Sequence, residues 1–422
     1  MNRKKGAALA VGIAAAVAIS VVLAVAFLYQ DGARIPGSGN NNGTAPLPPD
    51  GGTNGTTAGG GGPAGKTPVN AMSSPSAMPF MEKWVNQYNS ERNPGNVKVN
   101  YSDRADDASI PLLYPNVSAF LADYSADVAV ASRPVAARGN FTYAGSVFLP
   151  VSPQAVAVVY NIPALPDVPS GLRLDPPTLY AVLSGNITHW DDPAIKSLNP
   201  DTSLPHEQIV VVHEGPTGSA SDMLARYLAS ASNGTVTWPE SSLVADSANS
   251  LSAMVRQTPY SIGYVDFAFA VQTRMTYASL QNSDGEYLLP SADSIGAAVR
   301  NGTVVDPALV NGTGPGNPAL AGPPTVSVGQ LGNGSYPVVG FYYAAFPDHR
   351  AAAGPGTNET ALGGKDAAVI DFVRWIAGSE GQRILNDMQY PSVYEQNKDL
   401  EAFADRVLGT RTGSLANVEA PS

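Results

Sequence analysis

Ile209-Val-Val-Val-His213-Glu-Gly-Pro-Thr217-Gly218-Ser219 is the most informative stretch of the chain. Its branched apolar start suits a buried strand. A turn rich in Gly, Pro and hydroxyls follows. From Ser219 to Ser230, Met223, Leu224, Tyr227 and Leu228 then recur on one helical face. A strand feeding a helix through such a turn offers unpaired backbone N–H groups and the positive end of the helix dipole. Thr217 and Ser219 add hydroxyl donors, so the stretch is a candidate oxyanion site. The plainer reading is that Thr217 or Ser219 only caps the helix.

The alternation extends in both directions. Glu82 to Asn89 carries Trp84, Val85 and Tyr88 at helical spacing, and Val97 to Tyr101 alternates like a strand. Ala126–Ala131, Gln154–Tyr160, Ser261–Val265 and Val338–Ala345 read as strands, and Leu174–Leu183 as a helix. Asp191 or Asp192 can cap a helix with Pro193 at its first position. Asp366 to Asp387 reads as one long amphipathic helix carrying Val369, Phe372, Val373 and Ile376. Asn301 to Ser335, rich in Gly, Pro and Asn, reads as a surface excursion. Strands alternating with helices predict an α/β fold.

Upstream, Arg3, Lys4 and Lys5 precede an uncharged apolar run from Gly6 to Tyr29. That run is long enough to span a bilayer as a transmembrane helix, with the cations keeping the N-terminus inside. A cleaved signal peptide is the rival, with Ala24-Val25-Ala26 as its cleavage site. Either way the rest of the chain is exported. Residues 1–30 are thus read as anchor or signal, and 31–67 as a Gly-, Pro- and Asn-rich linker spanning roughly 30 Å. Within the linker, Gly60 to Thr67 matches G-x-x-x-x-G-K-[ST], the phosphate loop of nucleotide hydrolases. That motif needs a buried strand before it and a helix after it, and Pro68 follows at once, so a nucleotide site is rejected.

Composition narrows the function. The net charge is −11 among 422 residues, which argues against a nucleic-acid partner. There is no cysteine, hence no disulfide, thiolate ligand or lipidated cysteine. The four histidines, His189, His206, His213 and His349, show no metal-ligand spacing, so neither metal nor cofactor is expected. N-x-[ST] sites at Asn42, Asn54, Asn116, Asn140, Asn186, Asn233, Asn301, Asn311, Asn333 and Asn358 fit an exported glycoprotein, or simply the Asn-, Ser- and Thr-rich composition.

Several blocks resemble the phosphate-binding proteins of bacterial and archaeal phosphate ABC transporters. They are Val158-Val-Tyr-Asn161-Ile-Pro163, Leu183-Ser-Gly-Asn-Ile-Thr-His-Trp190-Asp-Asp-Pro-Ala-Ile195, Leu198-Asn-Pro200, Leu204-Pro205, Thr217-Gly218-Ser219, Val236-Thr-Trp238-Pro239, Ile262-Gly-Tyr-Val265 with Ala268 and Ala270, and Tyr336-Pro337. Ala77 to Trp84 and Gly381-Gln382 carry weaker similarity. The resemblance implies a two-lobed, type II periplasmic-binding-protein-like α/β fold with two chain crossovers. One lobe would be 68–154 plus 336–422 and the other 155–335, with the ligand in the cleft between them.

The resemblance also implies a site. The Ser-Gly-Thr of the family signature R-x-D-G-S-G-T falls on Thr217, Gly218 and Ser219, its arginine on His213 and its aspartate on Gly215. The family's early Thr-Phe falls near Pro75-Ser76, the serine of its Gly-Ser loop near Asp106, and its acid after the Ala126–Ala131 strand on Ser132 or Arg133. A neutral histidine replaces an arginine poorly, since only the latter gives bidentate, charge-assisted bonds. The expected anion site is therefore Ser76, Ser132, Arg133, His213, Thr217, Gly218 and Ser219, with Arg133 supplying the guanidinium lost at His213. The alternative is a surface Arg133 and a degenerate pocket.

The implied function is an extracytoplasmic solute-binding component of an ABC transporter. Its partners would be inorganic phosphate or a similar oxyanion, the permease subunits and, through the N-terminal helix, the membrane, with the protein a monomer. The alternative is a cell-surface anion-sensing or structural module. Catalysis is not expected: there is no G-x-S-x-G elbow or paired acid and base, and His213 beside Thr217 or Ser219 is the only base–nucleophile pairing.

Overall fold

The computed structural model describes residues 66–91, 97–102, 117–132, 146–163, 171–215, 219–232, 236–305, 325–327, 332–347 and 364–408, all within the compact unit Pro63–Ser422. The apolar run Gly6–Tyr29, the linker up to Gly65, Asp106, Arg133, Thr217 and Gly218 lie outside them. Among the described residues no helix is long and apolar enough to cross a membrane.

The strands are β1 (Thr67–Ser73), β2 (Val97–Ser102), β3 (Val128–Ala131), β4 (Ser146–Asn161), β5 (Arg173–Leu174), β6 (Val210–Glu214), β7 (Leu243–Ala245), β8 (Ser261–Asp266), β9 (Thr276–Tyr277), β10 (Ser279–Gln281), β11 (Tyr287–Leu288), β12 (Thr303–Val305), β13 (Thr325–Ser327) and β14 (Val339–Pro347). The main sheet has the order β2-β1-β3-β14-β4-β8-β6-β7, with β9 also on β4. Thr67, the last residue of the phosphate-loop match, opens a strand and not a helix. Part of the presumed excursion is the two-stranded pair β12 and β13.

Direction and register decide where the strand ends meet. β1, β2 and β3 are mutually parallel, and so are β6, β7 and β8. β14 is antiparallel to β3 and to β4, and β4 is antiparallel to β8, so the two parallel sets run in opposite directions. Ala131 at the end of β3 faces Tyr343, which faces Pro150 of β4. Asp266 at the end of β8 faces Val156 of β4. The carboxyl ends of both sets therefore converge on the middle of β4, between Pro150 and Val156. Open α/β sheets hold ligands outside such carboxyl ends.

β4 is buried along most of its length, as a strand covered on both faces must be. It carries Pro150 and Pro153, which a central strand tolerates at a bulge. The register slips there: Tyr343 faces Pro150 and Tyr342 faces Ser152, leaving Val151 without a partner in the ladder. Buried carbonyls need a hydrogen-bond donor. The Gln382 amide donates to Val151 O at 2.9 Å, and the Tyr394 hydroxyl donates to Pro150 O. Gln382 also accepts from Val393 N at 2.9 Å. One side chain thus ties the bulge to the C-terminal helices.

The helix expected over Asp366–Asp387 is broken into Gly364–Ala377 and Ser379–Asn386. Gly378 adopts an extended conformation between them. The second helix packs so closely on the end of the first that a Cβ on Gly381 would lie 2.4 Å from Ile376 O. The Gly381 carbonyl accepts from Trp84 Nε1 at 2.7 Å, pinning the first long helix, Met78–Glu91, to the same place. Gly381→Ala must push these segments apart. A loss of about 1–3 kcal/mol is expected, as for other overpacked interiors. Urea unfolding of the variant beside the parent protein measures it.

Candidate functional site

The first half of the site comes from the ends of β1 and β3. Past β1 the chain makes a tight turn at Pro75–Ala77 before the helix Met78–Glu91. Ser73, Ser74 and Ser76 are all buried there. Ser74 N donates to Val130 O at 3.0 Å, extending the β1–β3 pairing, and Ser74 Oγ lies 3.1 Å from Ser76 Oγ. Ser132 follows the end of β3 and is also buried. Ser76 and Ser132, two positions on which the family's site residues fall, therefore stand near neighbouring strand ends.

The second half comes from β6 and β8. The helix Ser219–Ser232 is the next described element after β6, which ends at Glu214. Tyr264 of β8 fixes that geometry: its hydroxyl accepts from Glu214 N at 3.2 Å and lies 2.7 Å from Ser221 Oγ in the first turn of the helix. Strand end and helix start are thus fastened to one phenol. His213 is buried, stacked on Trp238 at 4.3 Å and 4°, with Trp238 in turn over Tyr264. Its Nδ1 lies 2.7 Å from Glu214 O. A carbonyl only accepts, so Nδ1 carries the hydrogen, and a neutral ring offers a lone pair at Nε2. Only the protonated ring turns Nε2 into a donor towards an anion.

Between the halves lies Asp266, which caps the helix Phe267–Gln272 by accepting from Ala268 N at 2.9 Å. It is fully buried. The Tyr342 hydroxyl donates to Oδ2 at 2.5 Å and the Tyr390 hydroxyl to Oδ1 at 2.9 Å, and the Gln154 side chain adds a further bond. Burial dominates these bonds and pushes the carboxyl up to about 6. Tyr342 also shares a side-chain hydrogen bond with Ser76.

The structure brings Ser76, Ser132, His213 and Ser219 to the convergent strand ends, while Arg133, Thr217 and Gly218 lie outside the described residues. Asp266, Tyr342, Tyr390 and Tyr264 were not singled out from the sequence. The available signal was one acid, Asp266, inside the otherwise uncharged run Ser261–Ala270. Trp190 is a fully buried packing anchor donating to Tyr260 O at 3.0 Å, and Asp192 caps the helix beginning at Pro193, as expected.

A model of the PBP superfamily domain matches residues 52–380. That is most of the chain, and the chain belongs to the PBP superfamily. The phosphate-binding protein PstS of Xylella fastidiosa (strain Temecula1) is 27% identical over 336 residues, covering 77% of this chain and 81% of that protein. PstS of Methanocaldococcus jannaschii is 29% identical over 244 residues, covering 54% of this chain and 59% of its own length. Among solved structures, a high affinity periplasmic phosphate-binding protein (PfluDING) bound with phosphate matches with a TM-score of 0.55 at 16% identity, covering 80% of this chain and 93% of that one. The last is a likeness of fold. The resemblance read from the sequence and the mixed α/β, periplasmic-binding-protein architecture agree with these matches.

Asp266 also fixes a pH dependence. Its carboxyl titrates near 6 when folded and near 4 when unfolded, so between those values the folded state holds the extra proton. Stability therefore falls as pH rises from about 4 to 6 and levels off above, by about 3 kcal/mol from this group. Urea unfolding of Asp266→Asn across that range is expected to lack this component of the slope.

Proposed function

We propose that this chain is the extracytoplasmic solute-binding component of an ABC transporter and captures phosphate where the two sets of strand ends meet. The observation that carries the reading is the convergence on mid-β4 of Ser76 and Ser132 from one side and of His213 and the Ser219 helix start from the other. Hydroxyls, backbone N–H groups and a helix dipole form the kind of donor set that an oxyanion needs. That the named relatives are phosphate-binding proteins supports phosphate as the anion.

In this reading 68–154 with 336–422 forms one lobe, 155–335 the other, and closure about the crossovers traps the ligand. Arg133, Thr217 and Gly218 complete the donors. Gly6–Tyr29 anchors a monomer to the membrane, and the linker lets it reach the permease. A second reading, a surface module with a weak cleft, is favoured by His213, whose stacked ring with Nδ1 engaged lacks an arginine's fork of donors.

Calorimetry with phosphate, sulfate and arsenate separates the two. Phosphate saturation with one site is expected, and Arg133→Ala should weaken it about ten- to a hundredfold, the worth of a charge-assisted hydrogen bond. Absence of any anion binding sinks the transport reading. Unchanged affinity in Arg133→Ala sinks the role of that residue alone.

A further inference from the structure

The hydrogen-bond chain behind the site has a fixed direction. An ionised carboxylate only accepts, so Asp266 takes the single hydrogen of Tyr342. Towards Ser76 the Tyr342 oxygen can then only accept, so the bond between these side chains consumes the single hydrogen of Ser76. Ser74, 3.1 Å from Ser76, must in turn donate to it. The hydroxyls line up as Ser74 to Ser76 to Tyr342 to Asp266, every hydrogen pointing towards the buried carboxylate. With Asp266 ionised, Ser76 has lone pairs, and no hydrogen, left for a ligand.

We propose that Asp266 is a positioning residue for the anion site: it sets the donor or acceptor state of Ser76 through Tyr342, so that capture of a phosphate at Ser76 is coupled to uptake of one proton by Asp266. When Asp266 gains the proton it donates to the Tyr342 oxygen. Tyr342 turns its hydrogen to Ser76 Oγ, and the Ser76 hydrogen is released to the anion. No bond other than O–H is made or broken, and the proton comes from solvent. This inference rests on the phosphate reading of the same site.

The surroundings of Asp266 suit the role. Among the described residues, the groups facing it are Tyr342 from β14, Tyr390 from the segment after the helix Ser379–Asn386, Gln154 from β4 and the Ala268 N–H of its own helix. None of these carries a positive charge that would hold the carboxylate ionised. Burial and the adjacent carboxylate push both tyrosines far above the physiological range, so they relay a proton's effect without ionising. The carboxyl itself, pushed up to about 6, titrates close to the range in which an exported protein works.

The test is proton counting by titration calorimetry of phosphate binding to the full chain in buffers of different ionisation enthalpy, at several values from about pH 6 to 8, the range that brackets the shifted carboxyl. The unmodified protein is compared with Asp266→Asn and Tyr342→Phe. Asp266→Asn sets a permanent amide donor against the Tyr342 oxygen, and Tyr342→Phe severs the chain while leaving the carboxylate. Ionisation of phosphate contributes alike to all three proteins. Both variants are expected to take up fewer protons than the parent, by up to about one per phosphate. The ratio of variant to parent affinity should rise by up to about tenfold per pH unit. Equal proton counts, or a ratio flat with pH, overturn the coupling and leave phosphate binding standing. Tyr342→Phe decides the matter even where Asp266→Asn does not fold. A parent protein that binds no phosphate overturns the anion reading and this inference with it.

Discussion

At Ala155–Val156 the strand Ser146–Asn161 leaves one antiparallel partner, Val339–Pro347, and takes another, Ser261–Asp266. A change of partner inside a buried sheet leaves backbone groups that neither ladder can serve, and each must be satisfied locally. Here Val156 N donates to Val338 O at 3.0 Å, Val156 O accepts the Tyr336 hydroxyl at 2.8 Å, and Ala155 N reaches the Tyr390 hydroxyl. The residues that lead into Val339–Pro347 are thus bonded to Ser146–Asn161 at the point where it changes partner. Everything that defines the candidate site hangs on this join, because the join sets where the two families of strand ends meet.

The same constraint explains the population of tyrosines. Tyr336, Tyr342 and Tyr390 are fully buried, and each has a phenol whose hydroxyl finds a partner at or beside the join. A tyrosine fills core volume and still delivers one hydrogen bond, which a buried crossover needs more than a hydrocarbon does. Asp266 is the acceptor that Tyr342 and Tyr390 share. Removing either of these two tyrosines would strand part of a buried carboxylate, so the network is satisfied as a unit.

How much of this was legible in the sequence depends on the range of the interactions. Val210–Glu214 and Ser219–Ser232 were readable because the apolar run and the helical period are local. Thr67–Ser73 hid at the edge of a Gly-rich linker, since Thr-Pro-Val-Asn-Ala-Met-Ser lacks a branched run. The break at Gly378 was invisible because helical spacing continues across it, while the contact of Gly381 with Ile376 depends on the angle between two helices. Ser76, Ser132 and His213 reached the site list through family blocks, not through any local signal of their own. Asp266 went unremarked for the opposite reason to the helix: its environment is made by Tyr342 and Tyr390, which lie 76 and 124 residues away.

The departures from the family signature give that distant network its weight. An arginine in the signature turn would dominate the donors on that side of the site. At the equivalent place this chain has His213, its ring held flat on Trp238 and its Nδ1 spent on a carbonyl. On the proposed phosphate reading, the turn after β6 then offers O–H and N–H dipoles, with Arg133 as the guanidinium, and each dipole attracts or repels according to which way its hydrogen points. Backbone N–H groups are fixed by the fold, but serine hydroxyls rotate, and their direction is dictated by whatever takes their hydrogen. On the proposed reading, a buried carboxylate two hydrogen bonds behind Ser76 joins the side chains that touch the ligand in setting anion affinity.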